Sequence, residues 1–241
     1  MNRIKNFLVV ACICGTLFGC NATAQRGGLD GLYFMTRFST FAGLETSTYL
    51  FHDGTVVRNP IGGGRTPDVA AERAVHPDDV GSYKLAGGQL TFTFSGSPHT
   101  AKYETMKGGF GWDAGIFSPV EIFKSGATLD GTFTGGNSVG VTSGSTAGTS
   151  LIASTDIVFH RDGSYQSGTV TSVSSRNSTS QVSGGGQSGE SGRYHIDGTS
   201  MHMTPNGGKE VVFTCFPWDD GTAGPTPRAV YLRGTMMTRA K

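Results

Sequence analysis

Gly81-Ser-Tyr83-Lys-Leu85-Ala-Gly87-Gly-Gln-Leu90-Thr-Phe92-Thr93 recurs without a gap as Gly192-Arg-Tyr194-His-Ile196-Asp-Gly198-Thr-Ser-Met201-His-Met203-Thr204. In each copy large side chains alternate with small or polar ones on both sides of a turn, Gly87-Gly88 or Asp197-Gly198. This is the pattern of two antiparallel strands joined by a tight hairpin, with one face buried and one wet. Leu90, Phe92 and Phe94 are expected on the inner face with Thr91 and Thr93 outside, and Met201 and Met203 inside with His202 outside. A second copy of the same hairpin marks an internal duplication.

Outward from this hairpin the matches continue in order. Upstream, Phe51-His52-Asp53-Gly54 answers Phe159-His160-Arg161-Asp162-Gly163, with one residue fewer in the first copy. Downstream, the two tryptophans of the chain share F-x-W-D-x-G, as Phe110-Gly-Trp112-Asp113-Ala-Gly115 and Phe216-Pro-Trp218-Asp219-Asp-Gly221. They read as a repeat-equivalent pair at a barrel-end connection. Ser118-Pro119-Val120 through Gly126 then matches Thr226-Pro227-Arg228 through Gly234, which places a Pro-led strand near Val120. Leu129-Asp130-Gly131 resembles Leu29-Asp30-Gly31 and so begins copy two, yet it also follows Gly126 as a last strand of copy one would. That double reading leaves open one fused barrel or two.

The expected class is all-β, an antiparallel meander built as a tandem duplication of a barrel or sandwich unit. The divisions are a signal peptide at 1–19, a linker at 20–28, a first β-repeat at 29–128 and a second at 129–241. Six to eight short strands per copy are expected, those of the first beginning near Leu32, Tyr49, Thr55, Ser82, Gln89, Ala101 and Val120. With 38 glycines, 15% charged residues and no long helical periodicity, the composition agrees. Pro67 to Ala74 reads as a short helix with proline in its first turn, absent from copy two. Ser174 to Ser191 and Gly135 to Thr149, rich in Ser and Gly, read as loops, linkers or a hairpin tip.

The N-terminus has the layout of an export signal. Arg3 and Lys5 precede an apolar run from Phe7 to Phe18 that is too short to span a bilayer. Leu17-Phe18-Gly19-Cys20 resembles a bacterial lipobox, in which Cys20 becomes lipid-modified; Ala22-Thr23-Ala24 is an ordinary cleavage site before Gln25. The lipobox is the preferred reading, since a small residue directly before a cysteine ends the apolar run, and resemblance to Gram-negative lipoproteins then implies the outer membrane. Cleavage at Ala24 implies a secreted or periplasmic protein instead. Cys12 and Cys14 leave with the signal, so Cys215 has no disulfide partner, and its place among alternating Val211, Phe213 and Val212, Thr214 makes it a small hydrophobe on a strand face. The formal charge of +1 becomes −1 once Arg3 and Lys5 leave, which argues against nucleic acid as a partner.

The series G-x-Y-x-[L/I]-x-G-x-x-[L/M], preceded by F-x-x-D-G and followed by Val230-Tyr231-Leu232-Arg233-Gly234, resembles bacterial lipocalin-like small β-barrel domains of exported proteins. The resemblance covers Leu29 to Arg239. It implies an antiparallel barrel, in some members with an interior ligand, and no common chemistry.

Trp112 with Asp113 and Trp218 with Asp219 are the candidate ligand-binding residues, because an indole beside a carboxylate can stack on a ligand ring or anchor a protein interface. The competing reading has each tryptophan plug a barrel end while the aspartate starts a turn. His52 and His160 stand beside turn aspartates, which suits acid–base work in a hydrolase or, more simply, a strand's outer face. His195 and His202 face each other in one hairpin register, a weak transition-metal pair with no third ligand evident, so no metal site is assigned. His76-Pro77-Asp78-Asp79 lacks the spacing of a calcium cage and reads as a turn. P-loop and H-E-x-x-H patterns are absent and no cofactor is expected. The function expected is that of a lipid-anchored, non-enzymatic binding protein for a small apolar ligand or an envelope protein. The alternatives are a structural or inhibitor-like envelope module and a hydrolase using His160 or His52.

Overall fold

A computed structural model describes residues 29–39, 43–143, 147–176, 181–218 and 227–241. The hairpin signals become consecutive antiparallel strands. In the first unit these are β1 (Gly31–Ser39), β2 (Gly43–His52), β3 (Thr55–Arg58), β4 (Val80–Ala86), β5 (Gln89–Phe94), β6 (Ser97–Lys102), β7 (Glu104–Met106), β8 (Gly109–Trp112) and β9 (Gly115–Pro119). The meander returns on itself, because β9 pairs with β1 from Tyr33↔Pro119 to Arg37↔Gly115. The sheet order ends at β6 and β7, which only Tyr103 separates in the chain. The second unit is a closed eight-stranded barrel of β10 (Gly131–Ser143), β11 (Ala147–Phe159), β12 (Ser164–Arg176), β13 (Gln181–Asp197), β14 (Ser200–Pro205), β15 (Val211–Pro217), β16 (Ala229–Leu232) and β17 (Thr235–Arg239). The first unit returns to β1 through Pro119 and the second opens at Gly131, so there are two barrel units, the first nearly closed and the second closed, and the strand after Leu129 belongs to the second.

The G-x-Y element explains itself in three dimensions. Tyr83 and Tyr194 point inward, against Phe51 (ring centroids 5.2 Å) and Phe159 (4.8 Å). The hydroxyl of Tyr83 donates to the Leu29 carbonyl, and that of Tyr194 donates to the Leu129 carbonyl and accepts from the Leu129 N–H, both at 2.8 Å. Burial pushes the Tyr194 hydroxyl up to about 12, so it stays protonated and able to donate. Their amides donate to Gly54 (2.8 Å) and Gly163 (2.7 Å), tying the same β-hairpin to the same strand in each barrel. The glycine two residues earlier is equally constrained. A Cβ on Gly81 would overlap the carbonyl oxygen of Thr93, and one on Gly192 that of Thr204.

Among the described residues both interiors are filled by side chains, as small barrels of about this strand number allow. The first holds Tyr49, Phe51, Phe92, Phe110 and Phe117 in an aromatic stack, and the second holds Phe133, Phe159, Tyr194, Met201 and Met237. Leu90, Phe92, Met201 and Met203 are buried as their alternation requires, and Cys215 is buried on the inner face of β15, where desolvation raises its thiol pKa.

Pairing registers show which residues are equivalent. Leu90 faces Ala101 as Met201 faces Phe213, and the Tyr103 amide donates to Gly88 as the Cys215 amide donates to Thr199. Glu104↔Gly111 then corresponds to Phe216↔Tyr231. Together β6 and β7 therefore correspond to the single strand β15, broken at Tyr103. The counterpart of Trp112 is Leu232, and that of Trp218 is Met106. The tryptophans are not equivalent, contrary to the shared motif. The physical reason is loop length: only Lys107 and Gly108 join β7 to β8, whereas residues 219–228 connect Trp218 to β16. The strand expected near Val120 is corrected for the same reason, since β9 ends at Pro119 and the closing strand of the second barrel is β17.

Two insertions also resolve. Val69–Val75 forms the helix α1, whose N-cap Asp68 accepts from the amides of Ala70 and Ala71. The Ser- and Gly-rich stretches read as loops are instead paired backbone, Ser143↔Ala147 and Arg176↔Gln181 being the last pairs of two long hairpins. Replacing Tyr194 with Phe strands the buried N–H and C=O of Leu129. We expect a loss of about 1–3 kcal/mol in urea unfolding, with near-native strand content by circular dichroism below the transition.

Candidate functional site

The barrels meet through side chains that alternation turns outward. Leu32 and Phe34 of β1 and Leu50 of β2 pack against Phe216 of β15, Tyr231 of β16 and Met236 of β17. Polar contacts border this seam. Thr214 Oγ1 donates to the Pro60 carbonyl at 2.7 Å and Thr199 Oγ1 to that of Gly63, where a Cβ would collide with the Thr199 backbone. The buried Glu72 of α1 accepts from the Ile61 amide at 2.9 Å and holds this loop in place; desolvation raises its carboxyl pKa.

A cleft of about 370 Å³ opens along one side of the seam, lined by Phe34, Pro119, Val120, Phe216 and Trp218, with Glu121 at its edge. Trp218 stands at its wall, its ring 4.4 Å from that of Phe34, yet it remains 40% exposed. A second cleft of about 460 Å³ lies between Asn59, Ile61 and Val75 of the first unit and Val211, Phe213 and Tyr231 of the second. Beside it Arg233 lies over the Phe213 ring at 4.3 Å.

The other tryptophan belongs to a different setting. Trp112 is partly buried at the end of β8, its ring 4.3 Å from Phe92 and its indole N–H donating to the Leu90 carbonyl at 2.7 Å. It thus ties β8 to β5 across the break at Tyr103. Asp113 occupies the β8–β9 turn with positive φ and meets His99 Nε2 at 3.0 Å and Arg37 at 3.5 Å, while Arg37 also binds Glu45 at 2.7 Å. Trp112 and Trp218 are therefore not brought together. Trp112 and Asp113 brace one barrel, Trp218 lines the cleft, and Asp219 and Cys20 lie outside the described residues, as does the 1–19 segment.

The histidines beside the turns serve different local roles. His52 Nδ1 lies 3.2 Å from Asp30, and at the same place in the second barrel Asp130 binds the inserted Arg161 at 2.9 Å. Either an imidazole or a guanidinium at this place meets the aspartate that precedes the unit's first strand. His160 is exposed, and its carbonyl lies 3.1 Å from the Tyr194 hydroxyl. His195 and His202 are direct cross-strand partners, as the hairpin register predicted. What the sequence did not show is Glu210, which reaches His202 Nδ1 at 3.0 Å from just before β15. No helix among the described residues is long and apolar enough to cross a membrane. No family model, curated protein or solved structure matches the chain.

The unequal settings of the two indoles can be measured separately. Trp218 in a Trp112→Phe variant should be quenched by acrylamide more steeply than Trp112 in a Trp218→Phe variant. Equal quenching would mean that Trp218 is covered in solution.

Proposed function

We propose that this chain is an exported, lipid-anchored, non-enzymatic binding protein, and that it receives the apolar part of a small amphipathic ligand, or an apolar side chain of an envelope protein, in the cleft beside Trp218. The observation that carries this reading is the exposed indole. Among the described residues both barrel interiors are packed with the chain's own side chains, whereas Trp218 presents its ring to solvent beside the apolar residues Phe34, Val120 and Phe216. A partly solvated tryptophan in an apolar concavity retains contact area to gain when a ligand displaces water, and its N–H can fix orientation. Glu121 adds a polar edge suited to an amphipathic rather than a wholly apolar occupant. The Cys20 lipobox would hold this site at a membrane face, and a multiply acylated cysteine anchors stably.

Two experiments test these parts separately. A fluorescent apolar probe such as anilinonaphthalene sulfonate should bind and take energy from Trp218; Trp218→Ala should lose binding at least ~tenfold while unfolding at nearly the same urea concentration. Undiminished probe binding in that variant would remove the cleft from consideration. For the anchor, Cys20→Ser should abolish labelling by radioactive palmitate and release the chain from the bacterial envelope fraction. Retention of both label and location would refute lipidation at Cys20.

A further inference from the structure

The outer face of the β13–β14 hairpin carries a cluster that the cleft does not use. The alternation that sends Tyr194, Met201 and Met203 into the core turns His195 and His202 outward. Their rings stack with centroids 4.3 Å apart and an interplanar angle of 12°. Glu210 completes the group from the adjoining strand's approach: His202 pairs with Val212, so Glu210 lies two residues along β15's direction of entry, on the same face. One ring nitrogen from each histidine and one carboxylate oxygen of Glu210 lie within 4.8 Å of one another.

We propose that His195, His202 and Glu210 form a binding site for a divalent transition-metal ion of the zinc class. Ligand atoms bound at roughly 2.0–2.2 Å around one tetrahedral ion sit about 3.5 Å apart, so the cluster reaches bonding geometry through side-chain rotation alone. The backbone needs no movement, because the two histidines are held opposite each other by the hairpin and Glu210 by the β14–β15 register. Two imidazoles and one carboxylate match zinc, copper(II) or nickel; calcium and magnesium require a shell of oxygens that this face does not supply. Glu210 Oε1 lies 3.0 Å from His202 Nδ1, a contact that the ion would replace. Three protein ligands leave a fourth position open to water or to a donor group from another molecule. His202 is partly shielded while His195 and Glu210 are exposed, so an ion can enter without opening the barrel.

The test uses the full chain without added tag histidines, stripped with a chelator and titrated with zinc chloride by calorimetry and with cobalt(II) by visible absorption. One equivalent should bind, with cobalt giving the d–d bands of a nitrogen- and oxygen-ligated ion. His202→Ala and Glu210→Gln should each weaken binding by ~tenfold or more, and zinc should raise the urea midpoint of the native chain but not of His195→Ala. All three positions lie on the outer face, and circular dichroism checks that each variant folds. The proposal is overturned if no stoichiometric binding occurs up to millimolar zinc, or if the double variant His195→Ala/His202→Ala binds as the native chain does, which would place the ion at other histidines. X-ray absorption of the zinc-loaded native chain must find two imidazoles; fewer also overturns it.

Discussion

A buried tyrosine hydroxyl clasping the backbone just ahead of the first strand is the contact around which each barrel is organised. The fourth strand of the meander must come back over the barrel's base to do so, and it can, because the glycine before the tyrosine lets the neighbouring carbonyl approach. Around this clasp the two barrels share their register to the residue, although their interiors differ: the first is built from stacked aromatic rings and the second from fewer rings and three methionines. Packing volume is negotiable between the copies, but the satisfaction of buried Leu29 and Leu129 backbone groups is not.

The copies differ most where they meet. The second barrel closes without interruption, whereas the first breaks its sixth strand at Tyr103 and spans the break with the Trp112 indole. The first barrel in turn extends its third connection into α1 and the loop that carries Pro60 and Gly63 onto the second barrel. The seam joins residues that a lone barrel would expose: Leu32, Phe34 and Leu50 on one side, Phe216 and Tyr231 on the other. Such a patch on an isolated domain would be an association site. Here it is spent within the chain, apart from the edge where Trp218 projects.

Much of this was legible because strands declare their faces every second residue. The G-x-Y hairpin, the inward Leu90, Phe92, Met201 and Met203, the buried Cys215 and the short helix near Pro67 all follow from local pattern. Equivalence of the tryptophans was not legible, since matching F-x-W-D-x-G took no account of a two-residue turn in one copy and a long connection in the other. The Ser- and Gly-rich stretches lacked the apolar alternation that marks a half-buried strand, yet backbone pairing begun at the barrel rim extends along them without it. Glu210 was not legible because its proximity to His202 depends on the length of the 206–210 loop, a quantity set by the pairing of β14 with β15 and not by any local signal.

The seam also has a consequence for the order in which the chain takes shape. Its two halves come from opposite ends of the sequence, β1 and β2 near the start and β15 to β17 at the finish. During synthesis, amino end first, β9 can pair with β1 as soon as Pro119 is made, but Leu32, Phe34 and Leu50 stay bare until β15 to β17 follow. The second barrel needs β17, almost the last segment, to pair with β10, so both its closure and the covering of its neighbour wait for the same final stretch. Closure of the second barrel and loss of the sticky surface are therefore one event, and a chain truncated before Ala229 would keep the first unit with a permanently adhesive flank.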